Sequence, residues 1–130
     1  MNVCVLSLVT TWHGVGGGME VHGRLLTRGL AALGHDVTVV ASRHPAGIVR
    51  ETREGVALHY LEATTFGSQR GRWAAECSAR VAALHAERPF DVVCCQQGIA
   101  PGRLLDLCRR RGPALVALLE GHEALMVLSE

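Results

Sequence analysis

The stretch "HGVGGGMEVHGRLLTRGLAALGHDVTVV" covers residues 13–40 and places a run of glycines between an apolar segment and a helical pattern. The apolar segment, "NVCVLSLV" at residues 2–9, has the length of a parallel strand buried on both faces. After the glycines come an amphipathic helical pattern, a stop at Gly34 and the β-branched segment "DVTVVAS" at residues 36–42. We therefore predict a βαβ unit with a right-handed crossover. The residues that recur at helical spacing, most of them apolar, are Met19, His22, Leu25, Leu26, Leu30 and Leu33.

The rest of the chain continues to alternate strands with helices. We predict a loop (43–55), a third strand (56–63), a polar stretch (64–72), a helix (73–87), a fourth strand (90–96), a short helix (101–112) and a fifth strand (113–123). This alternation predicts a single α/β domain with a Rossmann-like, doubly wound, mostly parallel sheet and helices on both faces.

Length and charge limit the classes of function. The 130 residues suffice for one domain and fall short of the roughly 300 that two domains would need. The 13 Lys and Arg residues and the 12 Asp and Glu residues give a net charge of +1. This balance lacks the excess of positive charge that is typical of proteins that bind nucleic acid. No apolar run approaches the ~18 residues of a transmembrane segment. The N-terminal run leads into glycines, so we interpret it as a strand and not as a signal peptide; peripheral membrane contact stays open.

The five cysteines form no C-x-x-C pair that would suggest zinc or a redox motif. We therefore expect a reduced, cytoplasmic protein. Cys94 and Cys95 fall within the fourth strand and are expected to pack in the core.

Gly16, Gly17 and Gly18 come directly before the predicted helix, and two interpretations of them stay open. Backbone N–H groups at a helix start can hold a phosphate, because the helix dipole stabilises its charge. Alternatively, the glycines only permit a turn with positive φ and close helix packing. The dinucleotide fingerprint G-x-G-x-x-G needs a third glycine where Met19 stands, and the second strand leads into "ASRH" without a ribose-binding acid. An NAD site is therefore poorly supported.

Sheets of this type bind ligands beyond the carboxyl ends of their strands. Four polar segments are expected to converge there: "TTWHGVGGG", "SRH", "QQG" and "EGHE". For several of the polar side chains a structural role competes with a functional one. The structural role of His122 is one hydrogen bond at a strand end, and that of Glu120 is that of a solvent-exposed carboxylate. The structural role of Glu20, in the first helical turn, is a favourable interaction with the helix dipole.

The segment "GGMEVHGRLLTRGLAALGHDVTVVAS" resembles the start of glycosyltransferases of the GT-B fold, in particular family 4. Domains of that family open with a strand, a "GG-x-E" loop, a helix and "GH-x-V-T-V". The matching residues here are Gly17, Gly18 and Glu20, then Gly34, His35, Val37, Thr38 and Val39. The resemblance continues through "EGVALHYLEA", "PFDVVCCQQGIAP" and "PALVALLEGHE" and covers nearly the whole chain.

The resemblance implies that a glycosyl group is transferred from a nucleotide-sugar donor, with retention and without a metal or other cofactor. In that family the first of two Rossmann-like domains holds the acceptor, and its glycine loop reaches the donor diphosphate. The loop residues are then Gly16, Gly17 and Gly18, and the acceptor side carries His13, Glu20, Gln96 and Gln97. The family commonly has a His followed by Gly after the fifth strand. Glu120 matches that His in one register and His122 in a register shifted by two residues, so both stay catalytic candidates.

Residues 1–130 are therefore expected to form the N-terminal, acceptor-side half of a hexosyltransferase, without the C-terminal donor-binding domain. We expect such a half to be inactive alone and to need that second domain in cis or in trans. The alternative is a non-catalytic Rossmann-like module that binds a phosphorylated ligand. Bulky substitutions at Gly17 and Gly18 test both, since they should block the close approach of a phosphate.

Overall fold

The computed structural model describes residues 1–96 and 101–118. Its elements in chain order are β1 (Asn2–Ser7), α1 (Gly18–Ala32), β2 (Asp36–Ser42), β3 (Arg50–Arg53), β4 (Val56–Leu61), α2 (Trp73–Glu87), β5 (Val92–Cys95), α3 (Gly102–Arg111) and β6 (Ala114–Ala117). One sheet runs in the order β3-β4-β2-β1-β5-β6, and its neighbouring strands are parallel except for β3 with β4.

The sheet is covered by helices on both faces. Side chains alternate along β1, so that Cys4 and Leu6 join the core on one face while Val3 and Val5 join the core on the other. The first face is packed by Trp73, Cys77 and Val81 of α2 and Leu104 of α3, and the second by Leu30 and Ala31 of α1. This arrangement confirms the predicted Rossmann-like, doubly wound, mostly parallel sheet in a single domain.

The strand order reverses at β1, which lies between β2 and β5. The chain leaves β1 through α1 on one face, and it reaches β5 from β4 through α2 on the other face. The crevice at the carboxyl ends of β1 and β5 is therefore the place where such sheets bind ligands. The glycine segment follows β1 and Gln96 follows β5, so both come directly after strands that end at this crevice.

Most predicted elements are confirmed, with shorter strands than expected. The helix over 73–87 has the predicted bounds, and the short helix over 101–112 is present as α3. The third strand ends at Leu61 and the fourth spans only Val92–Cys95. The fifth begins at Ala114, and its predicted part beyond residue 118 lies outside the described residues.

The prediction of a loop over 43–55 is wrong at Arg50–Arg53, which form the antiparallel edge strand β3. A two-residue turn joins β3 to β4, and both of its residues, Glu54 and Gly55, have positive φ, at 51° and 78°. Such turns match the twist of a hairpin. An edge strand tolerates the charged sequence "RETR" because one side of it faces solvent, so hydrophobic alternation could not reveal it.

Helix α1 exists as predicted, but only part of its predicted apolar side faces the sheet, where Leu30 packs against the core and Leu26 is half-buried. Leu25 is 57% exposed and Leu33 is 77% exposed, whereas the buried positions are Gly23 and Thr27. The hydroxyl of Thr27 donates to the Gly23 carbonyl at 2.8 Å, so its polarity is satisfied within the helix. The fully buried positions of the helix are therefore small residues, with Leu30 packing against the core beside them.

Candidate functional site

The candidate site begins where β1 ends. The chain makes a short 3-10 turn over Thr11–His13, passes Gly14 and then enters α1 through the glycine segment. In this turn, the hydroxyl of Thr11 is buried and has no hydrogen-bond partner among the residues that the structure describes. The carboxyl end of β1 is thus connected through this turn and the glycine segment to the N-terminus of α1, and the sequence predicts a connection of this kind.

The backbone conformation does not require glycine at every position of this segment. Gly14 has a φ of 85°, which favours glycine, whereas Gly16, Gly17 and Gly18 have no positive φ. A Cβ on Gly16 or Gly18 would meet no described atom within 4 Å. The turn interpretation therefore explains Gly14 only, and neither backbone conformation nor contact with described residues requires glycine at positions 16 and 18.

Glu20 lies in the first turn of α1 and folds back over the N-cap residue Gly17. A Cβ on Gly17 would overlap the Glu20 carboxylate. A carboxylate at a helix N-terminus is favourable because the exposed N–H groups carry partial positive charge. In this conformation Glu20 thus occupies a place beside the glycines where an anion is stabilised.

His13 is buried, and its ring is held by hydrogen bonds at both nitrogens. Nδ1 accepts from the Thr10 N–H at 2.9 Å, which leaves the proton on Nε2, and Nε2 donates to the Ser42 carbonyl at 3.0 Å. Burial lowers the pKa of His13 below its ordinary value, so the neutral ring is favoured. His13 thereby joins the end of β1 to the end of β2.

The ring of His13 is also part of an aromatic cluster that the sequence did not predict. His13 stacks on His44 at 5.4 Å between centroids, and both rings contact Tyr60 edge-on at 5.0 and 4.9 Å. His44 is held in the same way as His13: Nδ1 accepts from the Ala46 N–H, and Nε2 donates to the Trp12 carbonyl. Only the polar tip "SRH" indicated that His44 belongs to this region.

We expect acidification to destabilise the protein through His13. The pKa of His13 in the folded chain lies below the unfolded value of 6.5. The neutral His13 ring therefore makes its full contribution to the free energy of unfolding above that pH. This contribution is lost as the pH falls through the folded pKa. Urea unfolding at about pH 7.5 and about pH 5.5 measures the loss, with His13→Gln as the comparison.

The His13→Gln variant should show a smaller loss on acidification than the original chain. It should keep part of the dependence, because burial also lowers the pKa of His59. An equal loss in both proteins would contradict a role for His13.

Gln96 follows β5 and is only 3% exposed. Its Nε2 donates to the Met19 carbonyl in the first turn of α1 at 2.6 Å. A Cβ on Gly23 would lie 2.6 Å from both polar atoms of the Gln96 amide. Gln96 therefore packs against bare helix backbone and connects the end of β5 to the start of α1.

The other predicted site residues, Gln97, Glu120 and His122, lie outside the described residues, and their roles stay predictions. Over residues 1–96 and 101–118, no group of three or more His, Cys, Asp or Glu side chains is arranged to hold a metal ion. In the same part of the chain, no helix has the length and apolar character needed to cross a membrane.

All five cysteines are free, and four of them are buried. Burial raises the pKa of Cys77 to about 12 and that of Cys95 to about 11. The thiolate is the reactive form, so these two side chains are inert core residues. Cys108 in α3 is partly exposed.

The structure is similar to that of a sucrose-phosphate synthase from Thermosynechococcus elongatus, with a TM-score of 0.74 and 16% sequence identity. The match covers 98% of this chain and 35% of the synthase, so the chain spans about a third of that protein's length. This likeness identifies the fold as the Rossmann-like fold of GT-B glycosyltransferases. Residues 17–126 match the model of the glycosyl transferase 4-like domain, and the chain belongs to that family. A comparison with curated proteins finds no match.

Proposed function

We propose that this chain forms the acceptor side of a nucleotide-sugar-dependent, retaining hexosyltransferase, with Gly16, Gly17 and Gly18 facing the donor diphosphate. Membership of the glycosyl transferase 4-like family supports glycosyl transfer as the reaction class. The observation that carries the role of the loop is the open space in front of Gly16 and Gly18. No described residue fills that space, and the backbone conformation does not require glycine there.

The first turn of α1 supplies the hydrogen-bond donors for this role. The first intrahelical bond runs from the Val21 N–H to the Gly17 carbonyl, so the N–H groups of Gly18, Met19 and Glu20 have no partner within the helix. In the proposal, a diphosphate accepts from these groups, with no side chain on Gly18 to hold it off. The departing nucleoside diphosphate gains negative charge, which preorganised N–H dipoles stabilise without rearrangement.

Glu20 responds to the diphosphate in this proposal. Its carboxylate lies over Gly17, and two anions beside the same glycines repel each other. The carboxylate turns toward the cleft and accepts a hydrogen bond from an acceptor hydroxyl, which is the role that the sequence predicted for it.

The remaining predicted residues divide into two groups. His13 and Gln96 hold the acceptor side in place. The hydrogen bond of His13 joins β1 to β2, and that of Gln96 joins β5 to α1. Gln97 contacts the acceptor directly, and either His122 or Glu120 is the catalytic group.

The proposed reaction needs a second Rossmann-like domain, in cis or in trans, to bind the nucleotide, and it needs no metal or other cofactor. The chain matches only 35% of a protein with the same fold, which supports a larger assembly. Five free cysteines support a reducing, cytoplasmic setting.

An NMR titration of the ¹⁵N-labelled chain with UDP and with GDP tests the loop. We expect the amide signals of residues 16–20 to shift, and Gly18→Val to weaken the binding about ten-fold or more, because its methyl groups occupy the space of a phosphate. Gly29→Val is the matched control: Gly29 also lies in α1 with nothing within 4 Å of a Cβ, and it is remote from the loop. Its affinity should equal that of the original chain.

Unchanged affinity in a folded Gly18→Val protein would contradict the role of the loop. The same preparations are assayed for transfer from UDP-, GDP- and ADP-hexoses, and none is expected from residues 1–130 alone, because in this proposal a second Rossmann-like domain binds the nucleotide. Robust transfer by the purified chain would show that no second domain is required.

A further inference from the structure

A second polar groove lies at the opposite edge of the sheet from the glycine loop. It has a volume of about 260 Å³ and is lined by residues near the amino ends of β1, β2 and β4 and by the last turn of α2. The connection from β2 to β4 builds the edge strand β3 and no helix. This part of the sheet is therefore left without a covering helix of its own.

The floor of the groove carries several polar side chains, although a parallel sheet face is normally apolar. Arg50 of β3 and His59 of β4 are directly opposite each other in the ladder, as are Thr52 and Ala57, and cross-strand partners share one face. These four residues and Thr38 of β2 all line the groove.

His59 is 3% exposed and presents a donor to this space. Its Nδ1 lies 3.4 Å from Nη1 of Arg80; a guanidinium only donates, so Nδ1 accepts and Nε2 carries the proton. No residue in the described ranges accepts a hydrogen bond from Nε2.

Two arginines beside His59 lack a carboxylate partner. Arg24, Arg28, Arg53, Arg72 and Arg88 all form ion pairs, whereas neither Arg50 nor Arg80 has a described carboxylate within 4 Å. Both act electrostatically on His59. Of the acidic residues that line the groove, Asp36 is paired with Arg88, which leaves Glu87 as the carboxylate facing His59.

We propose that this groove binds a phosphate group, with Arg50 supplying the positive charge at the groove and His59 Nε2–H donating a hydrogen bond. Arg80 does not line the groove; it holds the His59 ring through Nδ1. A tetrahedral dianion satisfies several donors at once, and charge-assisted hydrogen bonds are the strong ones. The ligand is either free phosphate or a small phosphate monoester. Neither this site nor its residues take part in the proposed glycosyl transfer.

The test follows the ring C–H signals of His59 by NMR during titration with inorganic phosphate and, separately, with glycerol 3-phosphate. His59→Gln assigns the signals. We expect both probes to shift the His59 signals, and Arg50→Gln to weaken binding about ten-fold. Tighter binding of the ester would identify a monoester as the ligand, and equal or weaker binding would identify free phosphate.

Arg53→Gln is the matched control. Arg53 belongs to the same exposed strand but does not line the groove, and it already pairs with Glu51 at 3.0 Å. Its phosphate affinity should equal that of the original chain. Absence of any shift at His59, or equal weakening by Arg53→Gln and Arg50→Gln, would overturn the proposal.

Discussion

Gly23→Ala should destabilise the chain by about 1–3 kcal/mol, although alanine is the better helix former. The new methyl group would lie 2.6 Å from the amide atoms of Gln96. Gln96 is buried and bonded to the Met19 carbonyl, so it cannot move without losing that bond. Either Gln96 turns away and gives up that bond, or the helix start or the end of β5 shifts; both elements border the candidate site.

Gly29→Ala in the same helix separates this clash from helix propensity. A Cβ there meets nothing within 4 Å, so alanine should stabilise the protein by about 0.5–1 kcal/mol. Urea unfolding of both variants measures the two free energies. If both substitutions stabilised the chain alike, the close contact between α1 and Gln96 would be refuted.

Leu58→Ala is expected to lower the free energy of unfolding by about 2–5 kcal/mol. Leu58 is fully buried in β4, among the side chains between the sheet and α1. Removing its branched end leaves a cavity in a packed core, where the lost contacts are not replaced.

Leu25→Ala is the matched control, because Leu25 is 57% exposed although it occupies a predicted apolar position of α1. Its substitution should change the free energy of unfolding by less than about 0.5 kcal/mol. Thermal and urea unfolding of both variants provide the comparison. Comparable losses would mean that Leu25 is buried in solution, as the helical pattern predicted.

The sequence was a good guide to elements whose signals are local. Helix α2 was predicted with the observed bounds, because its apolar pattern starts at Trp73 and Pro89 ends it. Strand β3 was missed because an edge strand can be entirely polar. The full burial of Gly23 in α1 was missed because glycine has no side chain, and the spacing of apolar side chains gives no signal at such a position.

The site was predictable in place but not in detail. The βαβ pattern locates the crevice at the carboxyl end of β1, and the glycines, His13 and Gln96 follow strands that end there. The orientation of the His13 ring depends on its hydrogen bond to the Ser42 carbonyl, 29 residues away in the chain, and on its stacking against the ring of His44. Partners at such distances are set by the register of the sheet, which no single motif specifies.

The free cysteines also allow local unfolding of the protein to be followed by chemical labelling. Cys108 is the one partly exposed cysteine, and partial burial raises the pKa of its thiol. Cys4, Cys77, Cys94 and Cys95 are all buried. A thiol reagent should therefore attach first at one position, which provides a single label without mutagenesis. Reaction at the other four then follows the rate at which separate strands and α2 detach, so mass spectrometry resolves the order in which the sheet comes apart.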